Sequence, residues 1–173
     1  MSQQLRSAFG HYATGVTIIT TRGPGGEPVG MTANSFTSLS LDPPLVLWSI
    51  ACTSTNYEAF RAASGFAIHV LHSGQGGLAQ VFSTKNMDRF AGIETAVGES
   101  GAPLLPDFHA RFDCETFSRH EGGDHLIIVG RVLSVEERPG DPLLFYRGRF
   151  GAMAATPGAG RSSHFCWWPA SII

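Results

Sequence analysis

The chain opens with a helical spacing of apolar residues and then changes to the patterns of β-strands. Leu5, Ala8, Phe9 and Tyr12 recur on one helix face, which predicts a short opening helix that buries an apolar stripe. Short runs rich in β-branched and aromatic residues follow, such as VTIITT and LVLWSI, and these favour strands. The predicted strands are 16–21, 28–33, 45–50, 65–71, 110–117, 125–135 and 143–146.

Two further segments have helical composition. Residues 55–63 begin with Thr55 and Glu58 at the spacing of a capping box, and residues 74–84 form a weaker pattern. Gly- and Pro-rich turns such as GPGG and EGGD separate the strands. Because strands outnumber helices and do not alternate with them regularly, the pattern predicts a mainly β protein with an antiparallel barrel.

Neither a repeat nor a linker divides the chain, and 173 residues suit a single domain. We expect one domain over residues 1–155, followed by a Gly-, Ser- and Pro-rich tail over 156–173. The tail contains HFCWWP. Three roles stay open for it: covering a site, packing on a partner subunit, or being partly foreign to the natural protein.

Composition and charge exclude several classes of protein. Hydrophobic residues make up 43% and charged residues 15% of the chain, so a disordered chain is excluded, and no apolar run is long enough to span a bilayer. The net charge of −2 without a basic stripe argues against nucleic acid as a partner. The first residues lack the apolar core of a signal peptide, so we expect a cytoplasmic protein.

The cysteines and histidines predict no metal site. Cys52, Cys114 and Cys166 are far apart and lack C-x-x-C spacing, which argues against a disulfide framework and a zinc ribbon. The sequence HEGGDH at residues 120–125 offers no helical face and no thiolate, so we interpret it as a turn. His69, on a predicted strand, is interpreted as structural.

Three common motifs are absent: the G-x-G-x-x-G dinucleotide fingerprint, the P-loop, and the G-x-S-x-G nucleophile elbow. A nicotinamide cofactor would therefore bind here without a Rossmann unit.

The most unusual stretch is the polar segment GMTANSFTSLSLDPP at residues 30–44. Its hydroxyl and amide groups can serve a flavin, which requires polar partners at its ring edge, ribityl chain and phosphate. An exposed loop held by side chain–backbone bonds explains the same composition. A second polar cluster, residues 49–56, precedes the predicted helix, where either phosphate binding or plain N-capping by Ser54 or Thr55 fits.

Three smaller features carry cations or a histidine beside turns. Lys85 and Arg89 could hold a phosphate, and Arg147 and Arg149 could clamp a pyrophosphate; solvated turns are the alternative for both pairs. His125 begins an apolar strand at a barrel rim, where it could bond a carboxamide or carry a proton, or simply be a strand-edge residue.

Five segments, taken in order, resemble the flavin reductase-like family, the short-chain reductase components of two-component flavin monooxygenases. These segments are FG, TGVTIITT, GMTANSFTSLSLDPPLV, GDH and PLLFYRG. The resemblance covers about residues 5–152. It implies an FMN-binding type of split β-barrel that works as a homodimer. It also implies hydride transfer from NADH or NADPH to FMN or FAD, with the reduced flavin released to a separate monooxygenase or passed to oxygen.

The resemblance also implies roles for individual residues. The flavin ring and ribityl chain would be lined by Thr32, Ala33, Asn34, Ser35, Phe36, Thr37, Ser38, Ser40 and Leu41. A second group would lie close to the flavin: Ser49, Cys52, Thr53, Ser54, Thr55 and Asn56. Within this group, Ser54 and Thr55 are best placed for the flavin phosphate. The phosphate or an adenylate would be reached by Lys85, Arg89 and Phe90. The nicotinamide would be contacted by the catalytic residue His125 and by Tyr146, Arg147, Gly148 and Arg149.

Two other functions stay open on the sequence. One is a flavin-dependent oxidase or reductase that acts on another small substrate in the same barrel. The other is a non-catalytic flavin-binding module.

Overall fold

The structure, a computed structural model, describes residues 2–153, so the tail expected over 156–173 lies outside the described residues. Within this range, three α-helices and a 3₁₀ turn accompany twelve strands. The helical elements are α1 (Ser2–Phe9), α2 (Tyr57–Ala62), the 3₁₀ turn (Ser73–Gln75) and α3 (Gly76–Ser83). The strands are β1 (Thr14–Gly15), β2 (Thr17–Arg22), β3 (Pro28–Ala33), β4 (Thr37–Leu41), β5 (Pro44–Ala51), β6 (Gly65–Val70), β7 (Ala96–Val97), β8 (Pro103–Leu104), β9 (Ala110–Gly122), β10 (His125–Glu137), β11 (Leu144–Tyr146) and β12 (Arg149–Gly151).

Seven antiparallel strands form the main sheet, in the order β3-β2-β6-β9-β10-β5-β4. Its two edge strands, β3 and β4, are consecutive in the chain. Ser35, in the segment between them, attaches that segment to β5: Ser35 Oγ donates to the Ser49 carbonyl and accepts from the Ser49 N–H, both at 3.0 Å. The expected antiparallel split barrel is confirmed.

Two apolar clusters fill the barrel and the space beneath α3. Inside the barrel, Trp48 packs edge-on against Phe60 and Phe66, with ring centroids 4.8 and 5.9 Å apart. The second cluster joins Phe82 of α3 to Leu71 and Leu143, and thereby ties the final hairpin to the sheet.

Several local expectations need correction. The predicted stripe on α1 is exposed, with Phe9 71% and Tyr12 78% accessible, because no other described element covers that helix face. The polar segment at residues 30–44 contains β4, and the short strand at 143–146 is followed by β12. Edge strands such as these depend on a neighbouring strand, which local composition does not reveal.

The predicted capping box does not form either. Helix α2 starts at Tyr57 rather than Thr55, its N-cap Asn56 makes no side-chain cap bond, and Glu58 pairs with Arg61 instead. Among the described helices, none has the length and apolarity to cross a membrane.

Candidate functional site

The polar end of β3 lines a small cleft, which we call the β3 cleft. Thr32, Ala33 and Asn34 form one wall, and the other wall comes from the β11–β12 hairpin. The cleft has a volume of about 370 Å³. Its complete lining is Val16, Thr32, Ala33, Asn34, Gln80, Ser83, Phe145, Gly148 and Phe150.

Two side-chain bonds fix the end of β3 in this position. Thr17 Oγ1 donates to the Ala33 carbonyl at 2.8 Å, and Thr32 Oγ1 donates to the Ala79 carbonyl at 2.6 Å. The second bond attaches the strand to α3. The hydroxyl of Thr32 is thus directed at the helix, while Asn34 just beyond the strand is exposed.

The hairpin opposite turns at Arg147 and Gly148, both at positive φ (49° and 80°), as a two-residue hairpin turn requires. Its aromatic residues Phe145 and Phe150 face each other across the two strands, with ring centroids 5.7 Å apart. The Arg147 N–H donates to the Gly10 carbonyl at 3.1 Å, which attaches the turn to the end of α1. An aromatic wall therefore faces the polar end of β3.

A second concavity, the α1 groove, adjoins the β3 cleft and shares Asn34, Phe145 and Gly148 with it. Its volume is about 770 Å³. It is lined by Phe9 at the end of α1 and by Tyr12 just beyond the helix, both exposed, so part of the predicted apolar stripe borders this groove. It also contains two cations, Arg6 and Arg147. On the far side of the hairpin, Tyr146 and Arg149 line a third concavity of about 760 Å³.

The structure joins two of the predicted phosphate segments to β3. The Gly30 carbonyl accepts from Asn56 Nδ2 at 3.3 Å and from Arg89 Nη1 at 2.8 Å. Ser54 Oγ accepts from the Asn56 N–H at 3.2 Å, which shapes the turn before α2. Lys85 is exposed nearby in sequence, on the segment between α3 and Arg89.

Other predicted site residues lie away from the β3 cleft. Ser35 is hydrogen-bonded to Ser49 of β5, and Phe36 packs against Phe112 with centroids 5.5 Å apart. Strand β4, paired with β5, carries Thr37, Ser38, Ser40 and Leu41. At the end of β5 and in the turn beyond it lie Ser49, Cys52, Thr53 and Thr55.

His125 begins β10 directly opposite Ala51 of β5. Its Nδ1 lies 2.7 Å from Asp124 Oδ1, and this hydrogen bond holds the pKa of the Asp124 carboxyl below its usual value. The Asp124 carbonyl accepts from the Cys52 N–H at 2.9 Å, which ties the hairpin tip to the end of β5. The ring is oriented by the carboxylate, but it lines neither the β3 cleft nor the α1 groove.

Sequence reasoning missed two groups of lining residues. Gln80 and Ser83 line the β3 cleft from α3. Their positions on the polar face of a helix whose other face is buried could have indicated this role. Phe145 and Phe150 form the aromatic wall; Phe145 lies inside the PLLFYRG segment, but nothing in that motif indicated which way it faces.

Within residues 2–153, no three His, Cys, Asp or Glu side chains come together as metal ligands would. His69 is a buried structural residue, hydrogen-bonded to the Ile18 carbonyl and the Leu105 N–H.

Comparison with known proteins agrees with this geometry. The model of the flavin reductase like domain matches residues 9–154. The chain belongs to the flavin reductase-like family. The relatives of this flavin reductase-like chain include the FMN reductase (NADH) SmoA of Agrobacterium fabrum, 48% identical over 150 residues, which are 87% of this chain and 85% of that protein.

Another relative is the reductase component of the flavin-dependent trigonelline monooxygenase of Acinetobacter baylyi, 44% identical over 86% of this chain; the match spans 48% of that component's length. Among solved structures, the Streptomyces globisporus NADH:FAD oxidoreductase SgcE6 superposes with a TM-score of 0.83 at 41% identity, covering 92% of both chains. BorF, the flavin reductase component of a bacterial two-component tryptophan halogenase, superposes with a TM-score of 0.81 at 35% identity, covering 90% of this chain and all of its own.

Proposed function

We propose that this protein is a flavin reductase that transfers a hydride from a reduced nicotinamide to FMN or FAD. The observation that carries the proposal is the β3 cleft, where the polar residues Thr32 and Asn34 face the aromatic residues Phe145 and Phe150. A planar ring with polar edges fits such a cleft. The relatives support both flavins, since SmoA is an FMN reductase (NADH) and SgcE6 is an NADH:FAD oxidoreductase.

The donors in the β3 cleft suit a flavin. Its volume of about 370 Å³ falls in the usual range of small-molecule sites, about 300–1,000 Å³. Asn34 is exposed beside the strand end and offers both a donor and an acceptor. Of residues 32–41, Thr32, Ala33 and Asn34 line the cleft and would contact the flavin ring.

We assign the phosphate end to the turn before α2 and to the segment after α3. Ser54 and Thr55 lie in the first, and Lys85, Arg89 and Phe90 border the second. Asn56 and Arg89 meet at the Gly30 carbonyl, so both segments are held against the strand that leads to Thr32.

The nicotinamide would approach from the side of the hairpin and His125. Arg147 lines the α1 groove next to the β3 cleft, and Arg149 lines the concavity on the other face of the hairpin. Arg147 also lines that concavity beside Arg149, and two cations that border one concavity suit the pyrophosphate of a dinucleotide. His125 is half-exposed, and its contact with Asp124 leaves Nε2 available to a carboxamide.

The flavin, when bound, accepts the hydride that the nicotinamide carries, and the protein supplies binding and orientation. The walls of the β3 cleft would fix one ring, and Arg147 in the adjoining α1 groove would help to bring the second ring over it, which lowers the entropy cost of their meeting. Backbone and side-chain donors near Thr32–Asn34 would stabilise negative charge on the ring. No protein nucleophile is required.

Further parts of the proposal concern partners. We propose a homodimer, because Leu41, Phe117 and Val135 leave apolar surface exposed at the β4 edge and on the long β9–β10 strands. The relatives that are reductase components suggest a separate monooxygenase as the recipient of the reduced flavin. We also propose a cytoplasmic location, because the co-substrate NADH is produced and used there.

A spectrophotometric matrix of NADH and NADPH against FMN, FAD and riboflavin tests the function. We expect nicotinamide oxidation that depends on added flavin, with NADH preferred. If the purified protein binds flavin tightly but oxidises neither nicotinamide, it is a flavin-binding module or an enzyme for another substrate, and the proposal fails.

A further inference from the structure

The carbonyl of Gly30 lies at an edge of the main sheet and accepts hydrogen bonds from two side chains. Among the strands of residues 2–153, β3 pairs with β2 alone, so the backbone groups on its other side need partners from outside the ladder. The Gly30 carbonyl has two such partners, Arg89 Nη1 at 2.8 Å and Asn56 Nδ2 at 3.3 Å. Two residues further along the same strand, Thr32 lines the β3 cleft.

All three nitrogens of the Arg89 side chain donate to backbone carbonyls. While Nη1 reaches Gly30, Nε and Nη2 both donate to the Thr84 carbonyl, at 3.1 and 2.9 Å. The planar guanidinium thus bridges β3 to the end of α3, a geometry that the single ammonium of lysine does not reproduce. Partial burial lowers the pKa of this guanidinium, as expected for a cation that faces carbonyls instead of water.

Apolar packing reinforces the same contact. A Cβ on Gly30 would lie 2.7 Å from Phe82 Cε1 and 3.0 Å from Phe90 Cζ, so the strand touches both rings directly. Phe82 and Phe90 pack edge-to-face with centroids 5.1 Å apart. The Arg89–Phe90 pair therefore holds β3 through one polar and one apolar contact.

The neighbouring cation is in a different situation. Lys85 follows Thr84, is exposed, and enters none of the ion pairs formed among residues 2–153. Its ammonium is free to meet a ligand phosphate.

We propose that Arg89 is a positioning residue, which shapes the flavin site by holding the Gly30 and Thr84 carbonyls, and that Lys85 alone of the two cations binds the flavin phosphate. The inference rests on the proposed flavin reductase function. It divides the two cations by the part of the flavin that each one affects: Arg89 acts on the ring site at Thr32, and Lys85 acts on the phosphate.

Riboflavin separates the two roles, because it has the ring and the ribityl chain of FMN but no phosphate. Dissociation constants for FMN and riboflavin would be measured by flavin fluorescence for the wild type, Arg89→Ala, Arg89→Lys and Lys85→Met, with KM for each flavin measured in parallel. Arg61→Ala is a matched control, because Arg61 is an exposed arginine on α2 that pairs with Glu58. Circular dichroism would verify the fold of each variant.

We expect Arg89→Ala to raise the dissociation constants for FMN and riboflavin by the same factor, about tenfold, as the loss of hydrogen bonds to a charged donor implies. Arg89→Lys should not restore the affinity for either flavin. This variant also provides the measurement if the alanine variant does not fold. Lys85→Met should raise the dissociation constant for FMN by about tenfold and leave that for riboflavin unchanged.

A loss confined to FMN in Arg89→Ala, or recovery of FMN binding in Arg89→Lys, would overturn the inference. A wild type that binds flavin without oxidising NADH would refute the proposed function, while the two dissociation constants would still decide the role of Arg89.

Discussion

His69 Nε2 accepts a hydrogen bond from the backbone N–H of Leu105 at 3.0 Å, deep inside the protein. The ring proton must then reside on Nδ1, which donates to the Ile18 carbonyl at 3.1 Å. Burial lowers the pKa of His69 to about 3. Protonation of Nε2 would place two N–H groups against each other, so the fold accepts only the neutral ring.

This relationship predicts a pH-dependent stability. Between the unfolded pKa of 6.5 and the folded pKa of about 3, the unfolded chain binds a proton at His69 that the folded chain does not, so stability falls as pH falls through this window. From pH 7 to pH 5 the contribution of His69 to the free energy of unfolding should decrease by about 2 kcal/mol.

Chemical denaturation of the wild type and His69→Gln at both pH values measures this effect. The variant should be less stable at pH 7 but should lose about 2 kcal/mol less on acidification. His120→Gln, at an exposed histidine on β9, serves as the control. Identical pH dependence in the wild type and His69→Gln would contradict the assignment.

His125→Ala should impair use of the nicotinamide while leaving flavin binding intact. The loss of one hydrogen bond to the co-substrate predicts a rise in KM for NADH of about tenfold, whereas the dissociation constant for FMN should change by less than about twofold. Steady-state kinetics and flavin fluorescence check the two values. His120→Ala is the matched control, and an equal loss of both functions in His125→Ala would refute the role.

Gly30→Ala should destabilise the protein and weaken flavin binding together. The added methyl group would press on Phe82 and Phe90, an overpacking that costs about 1–3 kcal/mol. Gly15→Ala is the comparison, since a Cβ there meets nothing within 4 Å. Thermal unfolding and flavin titration of both variants test this, and equal melting temperatures would show that the contact at Gly30 is not tight.

Ser35→Ala should loosen the attachment of the segment between β3 and β4 to β5. Without Oγ, the N–H and carbonyl of Ser49 both lose their side-chain partner, and we expect a loss of about 1–3 kcal/mol in the free energy of unfolding, measured in the absence of flavin. Ser118→Ala removes a hydroxyl that is hydrogen-bonded to His120 on the protein surface, and should be nearly neutral. Equal stability of the two variants would mean that Ser35 does not hold this segment against β5.

The strands with strong local patterns could be predicted from the sequence. The strand expected at 28–33 is β3 with the same bounds, and the helix at 74–84 corresponds to the 3₁₀ turn and α3. The start of α2 was wrong by two residues, because Ser54 bonds to the Asn56 N–H and no capping box forms. Strand β4 was missed because its hydroxyl residues fit an exposed loop equally well, and its pairing with β5 is what makes it a strand.

The sequence by itself determined the fold class, the family and the segments that belong to the site, since β-branched runs, turn glycines and the long central motif are local features. The tertiary structure alone decided what each polar side chain does. Ser35 is hydrogen-bonded to Ser49, and Arg89 is hydrogen-bonded to Gly30, which is 59 residues away in the chain. These hydrogen bonds decide which polar groups remain free for a ligand. Such pairings depend on where strand ends meet in space, which no local pattern encodes.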